Sequence, residues 1–68
     1  MRSRKIIDIA CLAGMGVNEY ATEIMTIANR SGLDVANRVN HEAFDRRLVS
    51  YEHFRLAAQN LTNIILSR

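Results

Sequence analysis

The sequence contains no proline and a single cysteine, Cys11, and its three glycines all precede residue 33. One thiol excludes an intramolecular disulfide, so no covalent staple supports the fold. It also fits a reducing compartment, and a cytoplasmic location is expected. Metal ligands are as scarce: Cys11, His41 and His53 stand far apart, with no close pair of the kind that seeds a zinc site. No metal or other cofactor is expected. The longest stretch without a charge or amide, Ile9 to Val17, falls far short of the ~20 apolar residues of a spanning helix. Arg2, Arg4 and Lys5 ahead of an apolar stretch resemble the opening of a signal peptide. Asp8 interrupts that stretch, and no clean small-x-small cleavage site follows. Neither membrane insertion nor export is expected.

What is present is a chain of 68 residues, one small domain, 49% hydrophobic, with a net charge of +2. A chain this short buries only roughly 60% of its unfolded surface. The gain from its core barely exceeds the conformational entropy lost on folding. With disulfides and metals excluded, association remains as the source of extra stability, and a protein partner or a homodimer is expected. The small net charge does not require a nucleic-acid partner. Eight of the nine basic residues are arginine, whose planar fork suits carboxylates and phosphates.

Four segments follow from periodicity and punctuation. Ser3 to Ala13 reads as a helix capped by Ser3, with Ile6, Ile9, Ala10 and Ala13 at helical spacing. Gly14 or Gly16 supplies the left-handed residue that ends it. Val17 to Arg30 carries an apolar stripe of Val17, Tyr20, Ala21, Ile24, Ile27 and Ala28. Glu19 near its start and Arg30 at its end suit the helix dipole, and Gly32 closes it. Asp34 to Val49 permits two readings. As a helix, it is capped by Asp34 and lined by Asp34, Arg38, Glu42 and Arg46 at four-residue steps. As a hairpin turning at His41-Glu42, it pairs Val39 with Phe44 and Val35 with Leu48. The turn lacks glycine and the strands are rich in Asn, Asp and Arg, which favours the helix. Tyr51 to Leu66 reads as a helix capped by Ser50, with Phe54, Ala57, Ala58, Leu61, Ile64 and Ile65 inward. The expected fold is all-α, a small bundle of three or four short helices. The alternative is α+β, with a hairpin at about 33–49 between helices.

Candidate sites are sparse. His41 with Asp45, and Glu52 with His53, are the titratable pairs, and neither has an activated nucleophile beside it. Cys11, between Ala10 and Leu12, reads as a small core residue. Gly14-Met15-Gly16 ahead of a helix could hold a phosphate. A P-loop requires lysine and Ser/Thr next, where Val17 and Asn18 stand. Arg38, Arg46, Arg47 and Arg55 form the densest basic set, suited to an acidic or phosphate-bearing partner.

From Ile6 to Ala28 the chain resembles a helix-turn-helix unit: Ala10 inside the first helix, glycine in the turn, Val17 just after it, and a second helix from Asn18. That resemblance implies DNA binding, with Asn18, Glu19 and Thr22 placed to read base edges and Arg2, Arg4, Lys5, Arg46 and Arg47 against phosphates. Two carboxylates, Glu19 and Glu23, oppose it. The favoured expectation is a non-enzymatic interaction or regulatory protein. It would act through protein contacts and self-association, with Tyr20, Ile24, Ile27, Phe54, Leu61 and Ile65 as core and interface. A DNA-binding regulator is the alternative.

Overall fold

The computed structural model describes residues 9–67. Within them lie a 3-10 turn (Ile9–Leu12) and three α-helices: α1 (Val17–Ser31), α2 (Leu33–Asp45) and α3 (Tyr51–Ser67). There is no strand among the described residues, so 33–49 is not a hairpin and the fold is all-α. None of the described helices is long and apolar enough to cross a membrane.

The first segment departs from expectation. Its start, with Ser3, Ile6, Arg2, Arg4 and Lys5, lies outside the described residues. Its end is a 3-10 turn in place of an α-helix, held by Ala13 N–H to the Ala10 carbonyl and Met15 N–H to the Leu12 carbonyl. With about 3 residues per turn, the inward positions shift. Leu12 is buried while Ala10 and Ala13 are exposed. Cys11 is exposed as well, so the expected core thiol is corrected. Gly14, at φ +89°, ends the turn.

α1 buries Tyr20, Ala21, Ile24 and Ile27, four of the six stripe residues, with Val17 and Ala28 half-buried. Gly16 is its N-cap, and the Glu19 carboxylate accepts the Gly16 N–H at 3.3 Å. That carboxylate supplies the negative charge a helix start favours. At the other end Gly32, at φ +102° and ψ 158°, donates its N–H to the Ala28 carbonyl and accepts the Ala36 N–H. This backbone region is open essentially to glycine alone. One residue therefore closes α1 and opens α2. Asp34 is not the N-cap, as the sequence suggested; it sits exposed in the first turn of α2.

α2 stops at Asp45 rather than Val49. Arg47 adopts φ +61°, its N–H bonds the Phe44 carbonyl, and Leu48 N–H bonds the Ala43 carbonyl. This is a Schellman closure with arginine where glycine is usual. It turns the chain so that Val49 enters the core. Of the expected charge ladder, Arg46 to Glu42 forms an ion pair at 2.7 Å.

α1 packs against both α2 and α3, which also pack against each other. Its large Tyr20, Ile24 and Ile27 meet a core to which the other helices contribute Ala36, Val39, Ala43, Ala57 and Leu61. Alternating large and small residues lets the helices approach closely and fill the space between them. Asn40 is buried among these apolar side chains with no exposure.

Candidate interaction surface

Asn40 is answered on both sides. Its Oδ1 accepts the Tyr20 hydroxyl at 2.5 Å and its Nδ2 donates to the Phe54 carbonyl at 3.2 Å. One amide thus ties α2 to α1 and to α3. Burial pushes the Tyr20 phenol up to about 12, because the ionised form would lose its hydration.

The six residues assigned to core and interface separate. Tyr20, Ile24, Ile27 and Leu61 are buried within the single chain, Phe54 is half-buried, and Ile65 is 56% exposed. The inward placement expected for Ile65 is thus corrected. Ile65 instead lines the rim of a shallow dent of about 190 Å³ with Leu33, Asp34 and Asn37 of α2, which leaves it open to solvent. Every large apolar side chain that stands mostly in solvent among the described residues is on α3: Tyr51 at 62%, Ile65 at 56% and Leu66 at 77%. Next to Tyr51 is a ring cluster. Phe54 stacks on Phe44 at 5.0 Å, and Tyr51 meets Phe44 edge-on at 5.9 Å. His41 meets Phe54 edge-on at 5.0 Å.

The arginines do not form one patch. Arg38 and Arg46 share a groove of about 380 Å³ on α2 with His41, Glu42 and Asp45, where two carboxylates interleave with the cations. Arg47 lies over the Phe44 ring at 5.6 Å. Arg55 lines a different dent with Val17, Glu52, Leu56 and Gln59. Asn18, Glu19 and Thr22 are exposed at the start of α1. Glu19 is engaged in the cap described above, and the Thr22 hydroxyl donates to the Asn18 carbonyl at 3.0 Å. No protein-family model, curated protein or solved structure matches this chain.

Sequence reasoning missed the role of His53. The Ser50 N–H donates to His53 Nδ1 at 3.3 Å, which makes Nδ1 an acceptor and places the ring proton on Nε2. Nε2 then donates to the Met15 carbonyl at 2.7 Å. The Ser50 hydroxyl lies 2.6 Å from Nδ1 and accepts the His53 N–H at 3.4 Å. This is a capping box with histidine in place of the usual Glu or Gln. The serine–histidine pair resembles a nucleophile and its base, but here both partners are spent on the helix start. The ring also packs edge-on to Tyr20 at 5.6 Å and straps the segment before α1 to α3. The signal was in the sequence: Ser50 and His53 have capping-box spacing. No group of three His, Cys, Asp or Glu able to hold a metal occurs among the described residues.

Proposed function

We propose that this chain is a non-enzymatic regulatory module that acts by protein contact and self-association, with the outer stripe of α3 as its contact surface. The observation that carries the reading is the gathering of Tyr51, Ile65 and Leu66, all mostly exposed, on one helix. Covering these side chains with a partner would remove apolar surface from water, which favours association. From Leu56 to Ser67 the same helix has no charged side chain, so covering it strips no ion of water. The helix-turn-helix reading has weaker support. The side chains assigned to base readout are partly engaged by their own helix, and the arginines are interleaved with carboxylates or scattered.

Ile65→Lys tests the reading without unfolding the chain. The position is exposed, and a cation near a helix C-terminus suits the dipole. Sedimentation of the native protein over a hundredfold concentration range is expected to show a concentration-dependent oligomer, with the melting temperature rising alongside. Ile65→Lys is expected to remain helical and monomeric. A native chain that stays monomeric over the whole range overturns the reading.

A further inference from the structure

The dent beside Ile65 lies between the start of α2 and the last turns of α3, and its volume of about 190 Å³ is the size of a single side chain. Leu33, Leu61 and Ile65 supply apolar surface, while Asp34, Asn37 and Thr62 supply oxygens. We propose that this dent seats a lysine side chain of a partner protein, its stem against the apolar surface and its ammonium among the three oxygens. This rests on the reading of α3 as a contact surface and gives that surface the chemistry of its partner.

Charge selects a cation. Asp34 is the one charged residue that lines the dent among the described residues, and no lysine or arginine does. Arg38, one helical turn on, lines a different groove with Glu42 and Asp45. The Asp34–Arg38 rung of the expected ladder therefore does not form, and Arg46–Glu42 is the ion pair found among the described residues. The start of α2 contributes about half a positive charge, which the full charge of Asp34 outweighs. The last carbonyls of α3 add partial negative charge at the other wall.

Hydrogen bonding selects an ammonium. The side chains of Asp34, Asn37 and Thr62 have no hydrogen bond or ion pair with any described residue. Thr22, Thr26 and Ser67, by contrast, each donate to the carbonyl four residues back. An ammonium is compact and has three donors to share among three acceptors, whereas a guanidinium holds its donors in one plane and suits a single carboxylate. A neutral apolar side chain would cover the Asp34 carboxylate and give it no partner, which is unfavourable. Lysine buries its stem and keeps its head at the rim. A lysine within a protein fits better than a free amine, because Ile65 and Leu66 stand mostly exposed and residues flanking the lysine can cover them.

n-Butylammonium, the lysine side chain cut at the backbone, tests the dent on the 15N-labelled full chain at pH 7 and low salt, with n-butanol as the neutral control. Saturable shifts are expected at the Asn37 side-chain amide and at the Thr62 and Ile65 backbone amides. An exposed ion pair contributes little, so n-butanol is expected to bind about threefold more weakly. Asp34→Asn, still helical by circular dichroism, is expected to erase that difference. n-Butylguanidinium is expected to bind no tighter than n-butylammonium. Acetyl-Leu-Lys-Leu-amide is expected to bind at least about threefold tighter than n-butylammonium, because its leucines cover apolar surface. Equal binding of amine and alcohol to the native chain, or shifts scattered over its other carboxylates, overturns the proposal. A preference for the guanidinium assigns the dent to arginine, and a peptide no tighter than the amine assigns it to free amines; either result overturns the proposal as well. Sedimentation decides self-association separately: a native chain that stays monomeric leaves binding in the dent standing, and failure of the amine leaves self-association standing.

Discussion

Tyr20→Phe removes one oxygen from the centre of the bundle and keeps the ring. The lost hydroxyl donates to Asn40 Oδ1, and neither residue has any solvent exposure, so water does not replace it. A buried acceptor left without a donor costs about 1–3 kcal/mol. Asn40→Leu is similar in shape and strands the Tyr20 hydroxyl instead, at a comparable cost. It also removes the bond to the Phe54 carbonyl. The double variant strands neither member of the pair, and replacing both partners of a buried bond by apolar groups of similar shape is close to neutral. The two single costs therefore do not add. The cycle is expected to show a coupling of about 1–3 kcal/mol, with the double variant more stable than either single one. For a domain of this size, 1 kcal/mol moves the melting temperature by roughly 4–8 °C, well within the resolution of thermal or urea unfolding followed at 222 nm. A cycle additive to within about 0.5 kcal/mol would refute the reasoning, because the two groups would then be acting independently.

Gly32→Ala is expected to cost about 1–3 kcal/mol in thermal unfolding; a Cβ there meets nothing within 4 Å, so the cost lies in the backbone at φ +102°. Arg47→Gly is expected to raise the urea midpoint, since relief of the left-handed conformation, about 1–2 kcal/mol, outweighs an exposed cation–π contact of about 0.5 kcal/mol. Stability is expected to be independent of Tyr20 below pH 10 and to fall as the pH rises towards about 12. In that window the folded chain keeps the phenolic proton and the unfolded chain loses it, at about 1.4 kcal/mol per pH unit. The same series on Tyr20→Phe, measured by urea midpoint, is expected to lack that slope.

The parts of the fold legible in the sequence are those whose signals are local. α1 was readable because its stripe, its acid at the start and Gly32 at its end agree, and α3 because Ser50 opens a long apolar period. Residues 33–49 support two readings because their large apolar residues pair as well across a hairpin as they space along a helix. The buried set of α2, Ala36, Val39, Asn40 and Ala43, has helical spacing, but two of its members are alanine and one is polar. The helix end at Asp45 was hidden because the residue in the left-handed position is Arg47, and the composition cue for a stop is glycine. Asn40 was unreadable for a different reason. Its burial depends on Tyr20, twenty residues away, and on a carbonyl of α3, and no local pattern encodes either. At the candidate surface, periodicity identified Phe54, Leu61 and Ile65 as apolar positions but could not say which the other helices would cover.

That division bears on why the surface is where it is. The largest fully buried side chains are Tyr20, Ile24 and Asn40, and two of these three carry polar atoms that must be matched. Such a core contributes less by burial than an aliphatic one of equal volume, and it tolerates fewer arrangements, because a shift between helices breaks the Tyr20–Asn40–Phe54 chain. The helices are therefore held in one register at the cost of some stability. Fixed register has a consequence on the outside, since Asn40 bonds the carbonyl of Phe54, whose ring packs beside the exposed Tyr51 on α3. The same contact that orders the interior thus sets α3 against α2 and determines how Tyr51, Ile65 and Leu66 are presented. Tyr20→Phe then tests more than the core: if register governs presentation, a folded variant under stabilising conditions should also associate more weakly than the native chain in sedimentation. Unchanged association would separate the interior hydrogen bonds from the surface and leave them a purely structural role.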